Sequence, residues 1–97
     1  MDILIVGPSG SGKSKLGDLI KNTVFKLDKE AHVHTNDPDR DIKDFGGGKN
    51  LYNIKVRQVH PSLSLSSTIT QEDLKRDMIV ILTNDSVAKW FKEVFES

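Results

Sequence analysis

The sequence predicts one small α/β domain over residues 1–97, with a mostly parallel sheet of about four strands. Three observations predict it. Two wholly apolar runs, Ile3 to Val6 and Met78 to Leu82, have the composition of strands buried on both faces. A segment of helical periodicity follows the first run after a short glycine-rich loop. Two further segments alternate apolar and polar residues, as half-buried strands do.

The first run, "ILIV", is rich in β-branched residues and stops at Gly7-Pro8, so a strand over residues 2–6 is expected. Leu16, Leu19, Ile20, Val24 and Leu27 then recur at three- and four-residue steps, which predicts an amphipathic helix from Ser14 to about Leu27. Ala31-His32-Val33-His34-Thr35 alternates and ends at the turn signal Asn36-Asp37-Pro38. It predicts a second strand with Ala31 and Val33 inward and both histidines outward. A solvent-facing histidine pair is the simpler reading there, and half of a metal site is the alternative.

Residues 37–50, "DPDRDIKDFGGGKN", hold no sustained period and predict a long loop. Asp37, Asp39 and Asp41 alternate in it, but Ile42 and Gly48 stand where a calcium loop needs Gly and Glu. The alternation of Ile54 and Val56 with Lys55 and Arg57 predicts a third strand with one polar face, nearer the sheet edge than the first. His60 to Thr70 is serine-rich and irregular. Thr70 with Asp73 forms a variant capping box that opens a short helix through Arg76. "MIVIL" is expected as a second central strand beside the first. After it, Val87, Trp90, Phe91, Val94 and Phe95 share one face of a C-terminal helix that covers the sheet.

Lys plus Arg and Asp plus Glu each number 14, so no global field draws the chain to nucleic acid or to an acidic membrane. Any polyanion must be held locally. Cysteine is absent, which excludes disulfides, thiolate metal sites and thiol catalysis. No apolar run reaches the length of a membrane span, and "ILIV" lacks the form of a signal peptide. A soluble cytoplasmic protein is the expectation.

Gly7, four residues, then Gly12, Lys13 and Ser14 complete the spacing of a phosphate-binding loop between a strand and a helix. Each residue type has a reason to be there. Glycines let backbone N–H groups turn inward into an anion nest at a helix N-terminus. Lys13 brings a point charge to β- and γ-phosphate oxygens, and Ser14 brings a hydroxyl to Mg²⁺.

The stretch "DILIVGPSGSGKSKLGDLI" resembles the first strand, Walker A loop and first helix of the P-loop NTPase superfamily, especially its nucleoside-monophosphate-kinase-like members. That resemblance implies a three-layer P-loop domain with the nucleotide phosphates at the carboxyl ends of the strands. It implies that Gly7, Pro8, Ser9, Gly10, Ser11, Gly12, Lys13, Ser14 and Lys15 bind the phosphates of ATP or GTP with Mg²⁺. No Asn-Lys-x-Asp guanine motif is present, so ATP is favoured over GTP by the superfamily resemblance alone.

Transfer or hydrolysis needs further groups, and here the chain departs from the superfamily pattern. The strand "YNIKVRQV" ends at His60-Pro61 without a carboxylate. Asp85 is the acid nearest the end of "MIVIL", three residues beyond Leu82, and is a candidate magnesium-shell residue; helix capping by Asn84, Asp85 or Ser86 is the alternative. Asp37, after the second strand, is a candidate acceptor or magnesium-shell contact, with a turn-forming role before Pro38 as the alternative. Among the arginines Arg40, Arg57 and Arg76, Arg40 is the first candidate to face a transferring phosphate, and Arg57 is expected to face solvent. Lys13, Asp37, Asp85 and Arg40 are therefore the candidate catalytic set, and Ser14, Asp37 and Asp85 the candidate metal set. Two function classes follow: a Mg²⁺-dependent NTPase or small-molecule kinase, and a non-catalytic nucleotide- or polyphosphate-binding module. In either, a protein partner or a second copy of the chain is a candidate to complete the site.

Overall fold

A computed structural model describes residues 1–41, 43–59 and 68–82. The aromatic helix expected over 87–95, the turn carrying Asp85, His60 and most of the serine-rich stretch lie outside the described residues. The elements in chain order are β1 (Asp2–Gly7), α1 (Lys13–Leu27), β2 (Ala31–Asn36), β3 (Asp44–Phe45), β4 (Asn50–Gln58), a 3-10 turn (Asp73–Lys75) and β5 (Met78–Ile81). They form an α/β fold with one five-stranded sheet in the order β3-β2-β4-β1-β5. Every pairing is parallel except β2 with β3.

Alternation along the strands decides which side chains meet α1. Ile3, Ile5, Val33, Ile54 and Val56 form a buried cluster on one face of the sheet. Leu16, Ile20, Val24 and Phe25 pack against it. Burial of such a side chain contributes about 1.5–3 kcal/mol, so this cluster fixes the helix on β1, β2 and β4. Gly17 sits on the buried face of the helix with room to spare: a Cβ there would make ordinary van der Waals contact, 3.8 Å from Val56 and 3.9 Å from both Ile5 and Ile54. Leu27, expected on the apolar face, is 83% exposed. It is the last helical residue, and the chain already turns toward β2 at the extended Asp28, so Phe25 takes the core position instead.

Leu4 and Val6 point to the other face of β1 and are also fully buried. The 3-10 turn is tied to that face through Arg57, whose neighbour Val56 faces α1. Thr70 and Asp73 do exchange the reciprocal bonds of a capping box, with Thr70 N–H donating to Asp73 Oδ2 at 2.8 Å and Asp73 N–H to Thr70 Oγ1 at 3.4 Å. The one- or two-turn helix expected through Arg76 is a single 3-10 turn, Asp73–Lys75, capped by Arg76.

Four placements correct the sequence expectations. First, β4 is the middle strand, between β2 and β1, and not near the edge. Its polar residues are absorbed by partners: Asn53 Nδ2 donates to Asp2 Oδ1 at 2.9 Å, and Arg57 binds Asp73. Second, Arg57 therefore does not face solvent; its side chain is 23% exposed. Third, β5 pairs with β1 alone among the described residues, leaving Met78 and Ile81 about half exposed at that edge. Fourth, residues 37–50 contain β3, which pairs Val33 with Phe45 and His34 with Asp44. Thr35 N–H donates to Lys43 O at 2.6 Å, which ties the chain just before β3 back to β2.

The parallel connections that follow the adjacent strands β1 and β4 run in opposite directions across the sheet. The path through α1 leads to β2 on one side, while the path from β4 leads across β1 to β5 on the other. Such a switch point opens a crevice at the carboxyl ends of the strands, where ligands bind in open α/β sheets. The glycine loop starts there.

No described helix is long and apolar enough to cross a membrane.

Candidate functional site: the glycine loop and the adjoining cleft

The loop between β1 and α1 is held by its own packing. Gly10 and Gly12 have φ of 79° and 90°, and Gly12 in this left-handed conformation is the N-cap of α1. Gly7 is required by close approach: a Cβ there would lie 2.5 Å from Ser11 Oγ and 3.1 Å from Leu82 Cβ. Ser11 is wholly buried beneath the loop, and its Oγ has no hydrogen-bond partner among the described residues. Ser11 N–H donates to Pro8 O at 3.2 Å.

Lys13 is only 7% exposed, and its Nζ donates to Pro8 O at 3.0 Å. Among the described residues one carbonyl satisfies one of its three ammonium donors, so the buried charge is ready for an anionic acceptor. The start of α1 is similarly unmet. Its N-cap makes no side-chain hydrogen bond and its first turn contains no acid. The N–H groups and the positive end of the helix dipole are thus left for an external anion.

Two cavities meet above this loop. The smaller, about 380 Å³, is lined by Gly10, Gly12, Lys13, Ser14 and Lys15, with Asp39 and Arg40 opposite. The larger, about 580 Å³, lies between α1 and the loop after β2, over Ile54 and Val56. Ser14, Asp39 and Arg40 line both, so they are two parts of one cleft.

Most of the sequence-selected residues therefore converge. Gly10, Gly12, Lys13, Ser14, Lys15 and Arg40 surround the smaller cavity, and Ser14, Asp37 and Arg40 belong to the larger. Gly7, Pro8, Ser9 and Ser11 line neither cavity; Gly7 and Ser11 pack under the loop, and Pro8 supplies the carbonyl that holds Lys13. Asp85 lies outside the described residues.

Asp37 is 4% exposed, and its Oδ1 accepts the Asp39 N–H at 2.9 Å. Its carbonyl accepts Arg40 N–H at 3.1 Å and Lys43 Nζ at 2.8 Å. The turn-forming role weighed for this residue is thus present, and it sets the carboxylate in the cleft wall. Arg40 Nη2 lies 3.0 Å from Asp18 Oδ2, spanning the cleft from its loop to α1. Asp18 raises the guanidinium above its ordinary value, first through this hydrogen bond and then through its charge.

Sequence reasoning passed over Asp18, Thr35, Lys21 and Phe45 as cleft residues. Asp18 follows Ser14 by one helical turn and so shares its face, which is the one signal that could have found it. Lys21 Nζ sits 3.9 Å above the centre of the Phe45 ring, a contact between residues that only the β2–β3 pairing brings together.

On the outer side of the β2–β3 pair, His32 Nε2 and His34 Nδ1 lie 3.1 and 3.0 Å from the same Asp44 Oδ1. These bonds hold the Asp44 carboxyl below its ordinary range, the His34 bond first and the His32 bond second. Among the described residues no three His, Asp or Glu side chains are arranged to hold a metal ion.

No family model matches the chain, and comparison with curated proteins and with solved structures found no match.

Proposed function

We propose that this chain binds a purine nucleoside triphosphate, ATP or GTP, with Mg²⁺ through the loop Gly7–Ser14, as a small three-layer P-loop domain. The observation that carries this reading is the buried Lys13 beside an uncapped, acid-free helix N-terminus. That combination is costly for a loop that merely joins strand to helix, and it suits a polyphosphate. Its position at the switch point supports the same reading.

In this reading the backbone N–H groups of Gly10 to Ser14 wrap the phosphates, Lys13 turns from Pro8 O to a phosphate oxygen, and Lys15 adds charge at the rim. The donor set fits Mg²⁺. Ser14 offers a neutral oxygen, and the ion commonly binds phosphate oxygens, water and one or two protein ligands without an all-protein cage. Asp37 lines the larger part of the same cleft together with Ser14, and in this reading it contacts that water shell. Bound Mg²⁺ would neutralise charge between β- and γ-phosphate oxygens. Arg40, on both cavities, is placed to exchange Asp18 for a phosphate.

Thermal unfolding with ATP or GTP and Mg²⁺ tests the binding. A ligand at 100 times its Kd stabilises the fold by about 2.7 kcal/mol, a shift readily seen in a small domain. No shift with either nucleotide would refute it.

A non-catalytic binding module is the second reading. The ends of β4 and β5 favour it, because Gln58–Val59 and Ile81–Leu82 offer no carboxylate for a magnesium shell. Phosphate release measured with excess protein separates the two. Turnover lost in Lys13→Ala supports an NTPase or small-molecule kinase, and binding without turnover supports the module. Mass measured with and without nucleotide reveals whether a second copy joins to complete the site.

A further inference from the structure

We infer that Asp18 is an internal competitor for the phosphate site: its carboxylate occupies Arg40 in the free chain, and a phosphate must displace it to engage that guanidinium. The inference rests on the phosphate reading above and adds to it a residue that lowers affinity.

Among the described residues, Lys13, Lys15 and Arg40 are the cations that line the smaller cavity. Two of them are held by the chain's own oxygens, Lys13 Nζ by Pro8 O at 3.0 Å and Arg40 Nη2 by Asp18 Oδ2 at 3.0 Å. The two holders differ in kind. Pro8 O is a neutral carbonyl of the glycine loop itself, whereas Asp18 brings a full negative charge from α1, one turn beyond Ser14. A guanidinium bonded to a carboxylate has its charge offset and a donor taken from any other acceptor. Asp18 lines the larger cavity but not the smaller, so the bridge holds Arg40 Nη2 on the larger-cavity side.

The contact is open to exchange. The Arg40 and Asp18 side chains are 45% and 46% exposed, and an ion pair so open to water is weak. A phosphate offers the same guanidinium two oxygens in bidentate geometry and more charge. Only the side chain needs to move, because the backbone at Arg40 is set without Asp18: its N–H donates to Asp37 O at 3.1 Å, and Lys43 Nζ donates to the same carbonyl at 2.8 Å. Asp18 in turn makes no other side-chain hydrogen bond among the described residues. Its carboxylate therefore matters little to the fold, and its main effect falls on the cleft.

Two measurements on the full chain test this in about 0.15 M salt, where exposed charges beyond about 8 Å are screened. The first needs no phosphate: phenylglyoxal modification of each arginine, read by mass spectrometry. Arg40 is expected to react about threefold faster in Asp18→Asn than in the native chain, while Arg57 and Arg76, both bonded to Asp73, keep their rates. The second is calorimetric titration with inorganic triphosphate in the absence of divalent metal. Asp18→Asn is expected to bind about two- to fivefold more tightly than the native chain, and the same substitution made in Arg40→Ala is expected to give no gain. Asp41→Asn, which removes an equal charge from the larger cavity, is expected to give a smaller gain than Asp18→Asn. Equal Arg40 rates in the two chains, or triphosphate binding that is unchanged in Asp18→Asn, would overturn the inference. So would the same gain in the Arg40→Ala background, or an equal gain from Asp41→Asn. Triphosphate binding without the gain overturns the competition alone, whereas faster Arg40 modification with no triphosphate binding in either chain refutes the phosphate reading and the competition with it.

Discussion

Replacing Asp73 by Asn changes one atom type in a side chain that is 2% exposed and receives five donors. Oδ2 accepts Arg57 Nη1 at 2.6 Å, the Thr70 N–H at 2.8 Å and Thr70 Oγ1 at 3.0 Å. Oδ1 accepts Arg57 Nη2 at 3.2 Å and Arg76 Nε at 3.0 Å. An amide keeps one acceptor oxygen and turns a new donor toward donors on the other side. Hydrogen bonds to charged groups contribute about 1.5–3 kcal/mol, and breaking a buried ion pair costs about 3–5 kcal/mol. Arg57 and Arg76 stay 23% and 22% exposed and can regain water, so the lower end applies, about 3 kcal/mol. In a domain of this size that lowers the thermal midpoint by more than about 10 °C.

Urea unfolding at several pH values measures the same effect more fully. Arg57, and next the Thr70 N–H, hold the Asp73 carboxyl well below the usual carboxylate range. A depressed folded-state pKa stabilises the fold above the unfolded value, near about 3.9, and that stabilisation is lost as pH falls below it. The difference between the native chain and Asp73→Asn should therefore be full at pH 7 and shrink toward pH 2. A destabilisation under about 0.5 kcal/mol, or one equal at pH 7 and pH 3, would refute the reasoning.

Gly17→Ala should stabilise the fold by about 0.5–1 kcal/mol in urea unfolding, because its Cβ meets only ordinary van der Waals contacts and helix interiors disfavour glycine. Gly7→Ala should cost about 1–3 kcal/mol by overpacking against Ser11, Leu82 and Lys13, and should also weaken phosphate binding. Substituting both His32 and His34 by Gln should raise the Asp44 titration midpoint toward the ordinary carboxylate value in carboxyl-detected NMR, since their bonds depress it.

The strand, loop and helix at the start of the chain were legible because their signals are local: an unbroken apolar run, glycines at fixed spacing, and a helical period. The central place of β4 was not, because Lys55 and Arg57 read as a wet face until Asp73, 16 residues beyond Arg57, supplies the partner. Two-residue β3 has no periodicity to detect, and tertiary bonds from Thr35 to Lys43 hold it. The glycine loop could be anticipated from the adjacent residues Gly7 to Ser14. The cleft beside it could not, since Asp18 and Arg40 meet across 22 residues and Lys21 meets Phe45 only through the sheet. Leu27 failed as a core residue for the opposite reason: its period is right, but the helix ends there.

Calorimetric titration of ATP with Mg²⁺ into the native chain and into Lys13→Ala tests phosphate binding by the glycine loop most directly. One site per chain is predicted, weakened at least tenfold in the variant, which is about 1.4 kcal/mol or more. Absence of binding to the native chain, or equal affinity in a folded Lys13→Ala, would contradict it.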